Sequence, residues 1–258
     1  MRIAFISDIH GNSIALDAVL ADIEARGGVD AYWLLGDFSA MGHDPVGVLE
    51  RVTKLPNAVF TRGNHDRYTV TGERPGPSDE AAQAHPNLVP FVLAMATNLA
   101  WTQGQILASG WWDWFANLPL EARMILPDGT RVLGVHAAPG LDDGPGIIPL
   151  LSDEELRALL KPAEADLVIV GHTHVPLDRT IAGMRVFNLG SVSNPLREHL
   201  EASYAILEAD EAGYALQLHY VAYDREAVIE ELHRIKHPAA DSLAQILRGE
   251  IRPPWARI

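Results

Sequence analysis

The chain opens on a short, nearly continuous apolar run, Ile3 to Ile6, the pattern of a strand buried on both faces. Leu16, Val19, Leu20 and Ile23 then recur at helical spacing, and Gly27-Gly28 supplies a stop. A second apolar run at Tyr32–Leu35 predicts a strand, Pro45–Lys54 a helix, and Ala58–Thr61 a third strand. Strand–helix–strand alternation with short connections predicts a layered α/β fold with largely parallel strands. From Arg67 to about Leu120 the pattern changes. Glu73-Arg74-Pro75-Gly76-Pro77 reads as loop, and Ala81–Gln105 carries Ala, Leu and Met at helical spacing. This predicts a helical insertion (67–120) over one end of the sheet, with Trp101, Trp111, Trp112 and Trp114 packing it onto the body.

Strands resume at Arg131–Val135 and Leu167–Val170, and between them Ser152-Asp153-Glu154-Glu155 is a capping box opening a short helix. Val186–Asn188, Tyr204–Leu207 and Tyr214–Val221 predict further strands, the last two joined as a hairpin around Ala212-Gly213. Arg225–Leu247 reads as helical with a break at Pro238, inside a C-terminal helical segment (222–258). No repeat, low-complexity tract or linker interrupts the chain, so residues 1–258 are expected to form a single domain.

Composition narrows the chemistry. Among 258 residues, 48% are hydrophobic and 21% charged, enough for a well-buried core. The 34 acidic residues against 20 basic ones give a net charge of −14, which argues against nucleic acid or an anionic membrane as a partner held by charge. A small phosphorylated substrate stays compatible, because bound divalent cations reverse the local potential. There is no cysteine, so any metal is held by imidazole, carboxylate and amide groups. No apolar stretch approaches the roughly 18 residues of a membrane span, and the N-terminal run is too short for a signal-peptide core. A cytoplasmic protein is therefore expected, with self-association left open.

Five short motifs stand at the ends of predicted strands: Asp8-Ile9-His10, Gly36-Asp37, Gly63-Asn64-His65-Asp66, Gly134-Val135-His136 and Gly171-His172-Thr173-His174. In open α/β sheets ligands bind beyond the carboxyl ends of strands, so these loops should converge on one crevice. Two carboxylates, one amide oxygen and four imidazoles make a mixed N/O set suited to two divalent ions of borderline hardness rather than calcium or magnesium. In Asp8-x-His10 an extended chain would point both side chains to one face. Gly36 and Gly63 would let the backbone approach the ions closely. Singly, each motif is weak, since a lone histidine is more often a loop residue or a satisfied core imidazole; their ordered set carries the signal.

That ordered set resembles the calcineurin-like metallophosphoesterases, and in particular their small bacterial and archaeal phosphodiesterase-like branch. The likeness extends to Met41-Gly42-His43-Asp44-Pro45 after the second motif and to Asn188-Leu189-Gly190-Ser191-Val192, and so spans roughly Met1 to Ala205. It implies two mixed β-sheets packed as a sandwich flanked by helices. It places Asp8, His10 and His174 on a first metal, Asn64, His136 and His172 on a second, and Asp37 between them. Two divalent cations are implied, manganese first, with iron, zinc, cobalt or nickel also compatible. His65 would be the general acid, and Asp66 would hold its other nitrogen and fix its tautomer. Asp66 stands where the protein serine/threonine phosphatases of the superfamily carry Glu, which points away from that branch.

The resemblance implies hydrolysis of a phosphate ester by a hydroxide shared between two metals, with His65 protonating the leaving alkoxide. A small-molecule phosphodiesterase or nucleotidase leads, ahead of a broad-substrate phosphomonoesterase and then a nuclease. The competing class is a non-catalytic scaffold of the same fold, which would show lost ligands; all seven ligands and His65 are present. Beyond them, Arg67 and Arg197 could clamp phosphate oxygens, and His43 and Asn98 are further candidates, each weighed against an ordinary surface or structural role. His85, His199, His219, His233 and His237 read as surface or packing histidines.

Overall fold

Alternation along the first strand sets the layers. In Arg2–Ile6 (β1) the side chains of Ile3 and Phe5 take one face and those of Ala4 and Ile6 the other, and all four are buried. The computed structural model, which describes residues 1–74, 89–196 and 200–250, shows what each face meets. Ile3 and Phe5 pack, with Trp33 and Leu35, against Val132, Leu167, Ile169 and Phe187 of a second sheet. Ala4, Ile6, Tyr32 and Leu34 turn outward onto Leu16, Val19, Val48 and Leu49 of two helices, Ser13–Ala25 (α1) and Pro45–Val52 (α2). The result is two sheets face to face with helices outside, and it accounts for strands that are apolar at nearly every position.

The first sheet adds Ala31–Leu35 (β2), Ala58–Thr61 (β3), Ala202–Asp210 (β9) and Gly213–Val221 (β10), in the order β10-β9-β1-β2-β3. The second contains Glu121–Ile125 (β4), Arg131–Val135 (β5), Leu167–Val170 (β6), Leu177–Ile181 (β7) and Met184–Asn188 (β8), in the order β4-β5-β6-β8-β7. β1, β2 and β3 run parallel, as do β5, β6 and β8. Three strands of each sheet are parallel, β9 and β10 form the expected antiparallel hairpin, and β9 against β1 and the edges β4 and β7 are antiparallel too, which makes both sheets mixed as expected. β4 and β7 have no counterpart in the sequence reading. Both are edge strands carrying charged residues and only partly buried, so they lack the apolar run that marks an inner strand.

Among the described residues three helices follow β3: Asn64–Thr71 (α3), Val89–Ala108 (α4) and Trp112–Ala116 (α5). Of the predicted helix Ala81–Gln105, residues 81–88 lie outside the described residues. Trp114 meets Phe38 and Phe60 with ring centroids 5.4 and 5.3 Å apart, which is the packing role expected of it. On the outer face of the second sheet, Leu156 and Leu160 of Asp153–Leu160 (α6) cover Leu133, Val135, Val168 and Val170. The Ser152 capping box is formed, Ser152 Oγ accepting from Glu155 N and the Glu155 carboxylate from Ser152 N. The C-terminal segment forms Arg225–Arg234 (α7) and Ala240–Leu247 (α8), interrupted around Pro238. Leu232 and Leu243 of this pair join Leu99 of α4, Tyr68 of α3 and Met41 in one buried cluster. Among the described residues no helix is long and apolar enough to cross a membrane.

Candidate metal centre

Parallel strands end at the same edge of their sheet, and here both sheets deliver their loops to one place. Asp8 follows β1, Asp37 follows β2, Asn64 opens α3 after β3, His136 follows β5, and His172 and His174 follow β6. Backbone bonds stitch the loops together: Asp8 N donates to Gly36 O, His10 N to Asp37 O, and Gly171 N to His136 O. The strand does not continue through Asp8-x-His10, so the expected extended alternation is not what aligns these side chains. Asp8 and His10 sit at φ of 57° and 49°, in left-handed turns. Asp37, His172 and His174 share that region, with φ of 56°, 68° and 59°. For a residue with a Cβ this conformation costs about 1 kcal/mol or more, and such strain persists only where the surroundings over-determine it. Gly36 and Gly63 do allow a close approach, though of each other: a Cβ on Gly36 would strike Gly63 N, and one on Gly63 would strike the Asp37 carboxylate.

The seven predicted ligands meet in the buried interior of this edge. On one side Asp8 Oδ1 lies 3.2 Å from His174 Nε2 and 3.8 Å from His10 Nε2, and the two imidazole nitrogens are 3.1 Å apart. On the other, Asn64 Oδ1 lies 3.1 Å from His136 Nε2 and 3.0 Å from His172 Nδ1. Asp37 Oδ2 reaches both sides, 3.7 Å from His10 Nε2 and 3.4 Å from His136 Nε2. Donors about 2.1 Å from a common ion, at tetrahedral to octahedral angles, stand about 3.0–3.4 Å from one another. Five of these pairs fall in that range, and Asp37 lies between the two groups.

The outer nitrogens test whether these groups fit a cation. His136 Nδ1 donates to Leu35 O at 2.6 Å, His172 Nε2 to Gly144 O at 2.9 Å, and His174 Nδ1 to Asn194 O at 2.9 Å. Each carbonyl fixes a tautomer, so the inward nitrogen presents a lone pair, the arrangement of a metal-ligating histidine. His136 Nε2, His172 Nδ1 and Asn64 Oδ1 are then three neighbouring acceptors with no donor between them. Asp8 Oδ1 is likewise buried without a hydrogen-bond donor. Such a set is reconciled only by positive charge placed inside it, and the residues fit divalent ions.

Burial and the neighbouring carboxylates compete in setting the protonation of these side chains. Burial works against a charged His136, yet the Asp37 and Asp8 carboxylates and the Leu35 carbonyl raise its pKa to about 10. Burial depresses His10 to about 3 against the pull of Asp37, so His10 stays neutral. Despite burial, His174 and His136 hold the Asp8 carboxyl down to about 2.

Around this centre the structure redistributes several expected roles. His65 stands at its margin, ring 5.2 Å from that of His10, with Nδ1 buried and unpartnered. Asp66 does not hold it. The Asp66 carboxylate instead accepts from the backbone N–H groups of Asp37, Phe38 and Gly63, because at the third position of α3 it faces back over the helix start. Asp66 thus fixes the loop that carries Asp37. His65 also lies close enough to His10 and Asp37 to be a further donor.

Arg67 is not free to clamp phosphate. Nε binds Asp142, one terminal nitrogen binds Asp143 at 2.8 Å, and the other pairs with Glu73. His43 faces away, Nε2 lying 3.2 Å from Ser13 Oγ and its nearest charges being Asp44, Glu231, Arg51 and Arg234. Asn98 Oδ1 accepts from Met41 N, a tie between α4 and the loop after β2. Arg197, His85 and His199 lie outside the described residues. His237 packs edge-on to Trp101, and His219 tilts over Tyr204. Sequence reasoning passed over Tyr68, Asp142 and Asp143, which border the centre; only the position of Tyr68, one helical turn beyond Asn64, could have signalled it.

The sequence model of the calcineurin-like phosphoesterase family matches residues 1–176. An uncharacterised protein, MJ0912, from Methanocaldococcus jannaschii is 29% identical over 92% of this chain and 93% of its own. A symmetrical bis(5'-nucleosyl)-tetraphosphatase of Pectobacterium carotovorum is 39% identical, but over only 27% of this chain and 25% of that enzyme. Among solved structures, a metallophosphoesterase from Sphaerobacter thermophilus superposes with a TM-score of 0.71 at 28% identity, covering 97% of this chain and 99% of that one. A hypothetical protein from Pyrococcus horikoshii OT3 shares the fold at a TM-score of 0.77 and 20% identity, over 95% and 97% of the two chains.

Proposed function

The chain belongs to the calcineurin-like phosphoesterase family, hydrolases of phosphate esters, and from that premise we propose a two-metal enzyme acting on small phosphodiesters or nucleotides. Asp8, His10 and His174 would hold one ion, Asn64, His136 and His172 the other, with Asp37 shared. The carrying observation is the acceptor trio in which His136 Nε2 and His172 Nδ1 each lie within 3.1 Å of Asn64 Oδ1, the tautomers fixed by backbone carbonyls. Divalent ions held there would supply positive charge to a bound phosphate ester and lower the pKa of a water.

The remaining work falls to the chain. His65, buried beside His10 with a free Nδ1, protonates the leaving alkoxide. Asp66 and the Asp37 loop hold the shared carboxylate in place through the three backbone bonds. A small substrate is favoured over a polynucleotide by the net charge of −14. The partial likeness to tetraphosphatases supports including nucleotides in that class.

The test is a panel of nitrophenyl monoester and diester, mononucleotides and dinucleoside polyphosphates, with manganese, iron, zinc, cobalt and nickel in turn. Diester or nucleotide turnover should exceed the simple monoester in kcat/KM by at least about tenfold, a difference of about 1.4 kcal/mol in the barrier, with manganese best. It should vanish on chelation and return with metal. Full activity after exhaustive chelation would overturn the two-metal reading, and a monoester preference would make it a phosphomonoesterase.

A further inference from the structure

Asp8 and His174 meet at the first metal position but come from different sheets, Asp8 from the end of β1 and His174 from the turn after β6. Both sit in left-handed backbone, with φ of 57° and 59°, so their surroundings must hold them there. One loop touches both. It leaves β8 through Asn188-Leu189-Gly190-Ser191-Val192, a segment to which the proposed chemistry gives no part.

The backbone of this loop runs between the two ligands. Val192 N donates to Ser7 O and Ser193 N to Asp8 O, both at 3.2 Å, while Leu196 N donates to His174 O at 3.3 Å. Asn194 O accepts from His174 Nδ1 at 2.9 Å. Ser191 gathers these contacts in one side chain. Its hydroxyl donates to Asp8 O at 3.0 Å and accepts from Asn194 N at 2.9 Å and from Ser193 N at 3.2 Å. One donor and two acceptor sites are the whole capacity of a hydroxyl, and all three are used here, in a fully buried residue. The serine is itself pinned to β9: Ser191 N donates to Ser203 Oγ, and Ser203 N donates to Ser191 O, each at 3.0 Å. His10, the third donor of this position, lacks such a tie, since its Nδ1 is buried with no hydrogen-bond partner among the described residues. Asp8 Oδ2 keeps one anchor independent of Ser191, accepting from His172 N at 3.0 Å. The second position leans elsewhere, His136 and His172 on the carbonyls of Leu35 and Gly144.

The geometry points to Ser191 as the positioning residue of the first metal position, tying the Asp8 main chain to the Asn194 carbonyl that fixes His174. The inference rests on the two-metal reading, but it concerns one position only and needs no substrate.

The experiment is calorimetric titration of the metal-free full chain with Mn²⁺ alone. Ser191→Ala should weaken one of two Mn²⁺ equivalents by about 10–100-fold, the usual worth of an outer partner of a ligand, while the other keeps its affinity. Two backgrounds identify which. Asn64→Ala disables the second position, and there the added Ser191→Ala should weaken the remaining equivalent by the same factor. His10→Ala disables the first, and there Ser191→Ala should alter the remaining equivalent by no more than about threefold, roughly 0.7 kcal/mol. That split separates positioning from a general loosening of the fold, which would weaken both. Should Ser191→Ala fold poorly, Ser191→Cys, close in volume but with a sulfur that hydrogen-bonds weakly, should weaken the same single site. Two unweakened equivalents in the serine variant, or an equal loss in both backgrounds, overturn the inference. Two tight equivalents in the parent chain with no hydrolysis of any ester would overturn the proposed function and leave this inference standing.

Discussion

Two neighbouring clusters in this molecule are equally crowded with ionisable groups and behave in opposite ways. At the rim, Arg62 and Arg67 meet Asp142, Asp143 and Glu73, and Tyr68 adds its hydroxyl. Every charge there has an opposite within bonding distance. In the centre a few ångströms away, acceptors face acceptors, imidazole nitrogens approach to 3.1 Å, and five of the donor residues sit in left-handed backbone. The rim closes its own electrostatics; the centre does not. What marks the functional site is thus not the density of charge but its failure to satisfy itself, together with strain that a folded protein of ordinary stability must offset elsewhere.

The sharpest way to break this contrast is to remove the group that joins the two halves of the centre. Asp37→Ala should lose tight metal binding at both positions and slow turnover by more than about 10³-fold, beyond the 10²–10³ of one lost electrostatic contact. Elemental analysis after dialysis checks the first part, and two retained equivalents would sink the sharing role. His65→Asn should keep metal content near that of the parent and slow turnover by about 10²–10⁴-fold. The loss should be larger for sugar-alkoxide than for nitrophenolate leaving groups, because nitrophenolate departs without a proton. Loss of metal in this variant would instead make His65 a ligand, as its proximity to His10 and Asp37 allows.

The rim gives the opposite forecast. Arg67→Gln removes a guanidinium already bound to three carboxylates, so KM for a phosphate ester should change by less than about tenfold, about 1.4 kcal/mol. A direct clamp on substrate would be worth more, since it would leave phosphate charge unpaired. A steady-state comparison of KM and kcat decides between them.

How much of this was legible beforehand follows the same division. Inner strands announce themselves because both faces are buried, and the loops after them carry Asp, Asn and His in an order that few other demands would produce. β4 and β7 escaped because an edge strand needs no apolar run. The role of Asp66 escaped for a different reason. The family resemblance implied contact with His65, but on a helix successive residues point in different directions, and Asp66 finds the backbone of the Asp37 loop. Arg67 could not be judged without Asp142 and Asp143, which arrive from 75 and 76 residues away. Motif reading identifies the groups that cannot satisfy themselves; pairing between distant loops needs the fold.

His237 offers the finest test of the contrast, because it shares one property with the centre and lacks the other. It is buried, and among the described residues its Nε2 has no hydrogen-bond partner and no ring of acceptors faces it; it packs on Trp101. Burial, with a smaller contribution from His43, lowers its pKa from 6.5 to about 4. The unfolded chain therefore takes up a proton as pH falls through about 6.5, while the folded chain stays neutral there until about 4. Stability is intact above about pH 6.5 and declines as pH falls toward 4, with a loss of about 1 kcal/mol between pH 7 and 5.5. His237→Gln should flatten the thermal midpoint over that interval by the corresponding few degrees. An isolated group should do this identically with Mn²⁺ present or chelated, whereas the centre's own titrations should shift with the metal. A His237 contribution that changes on chelation would show that the self-satisfying surroundings and the metal centre are not the separate regions described above.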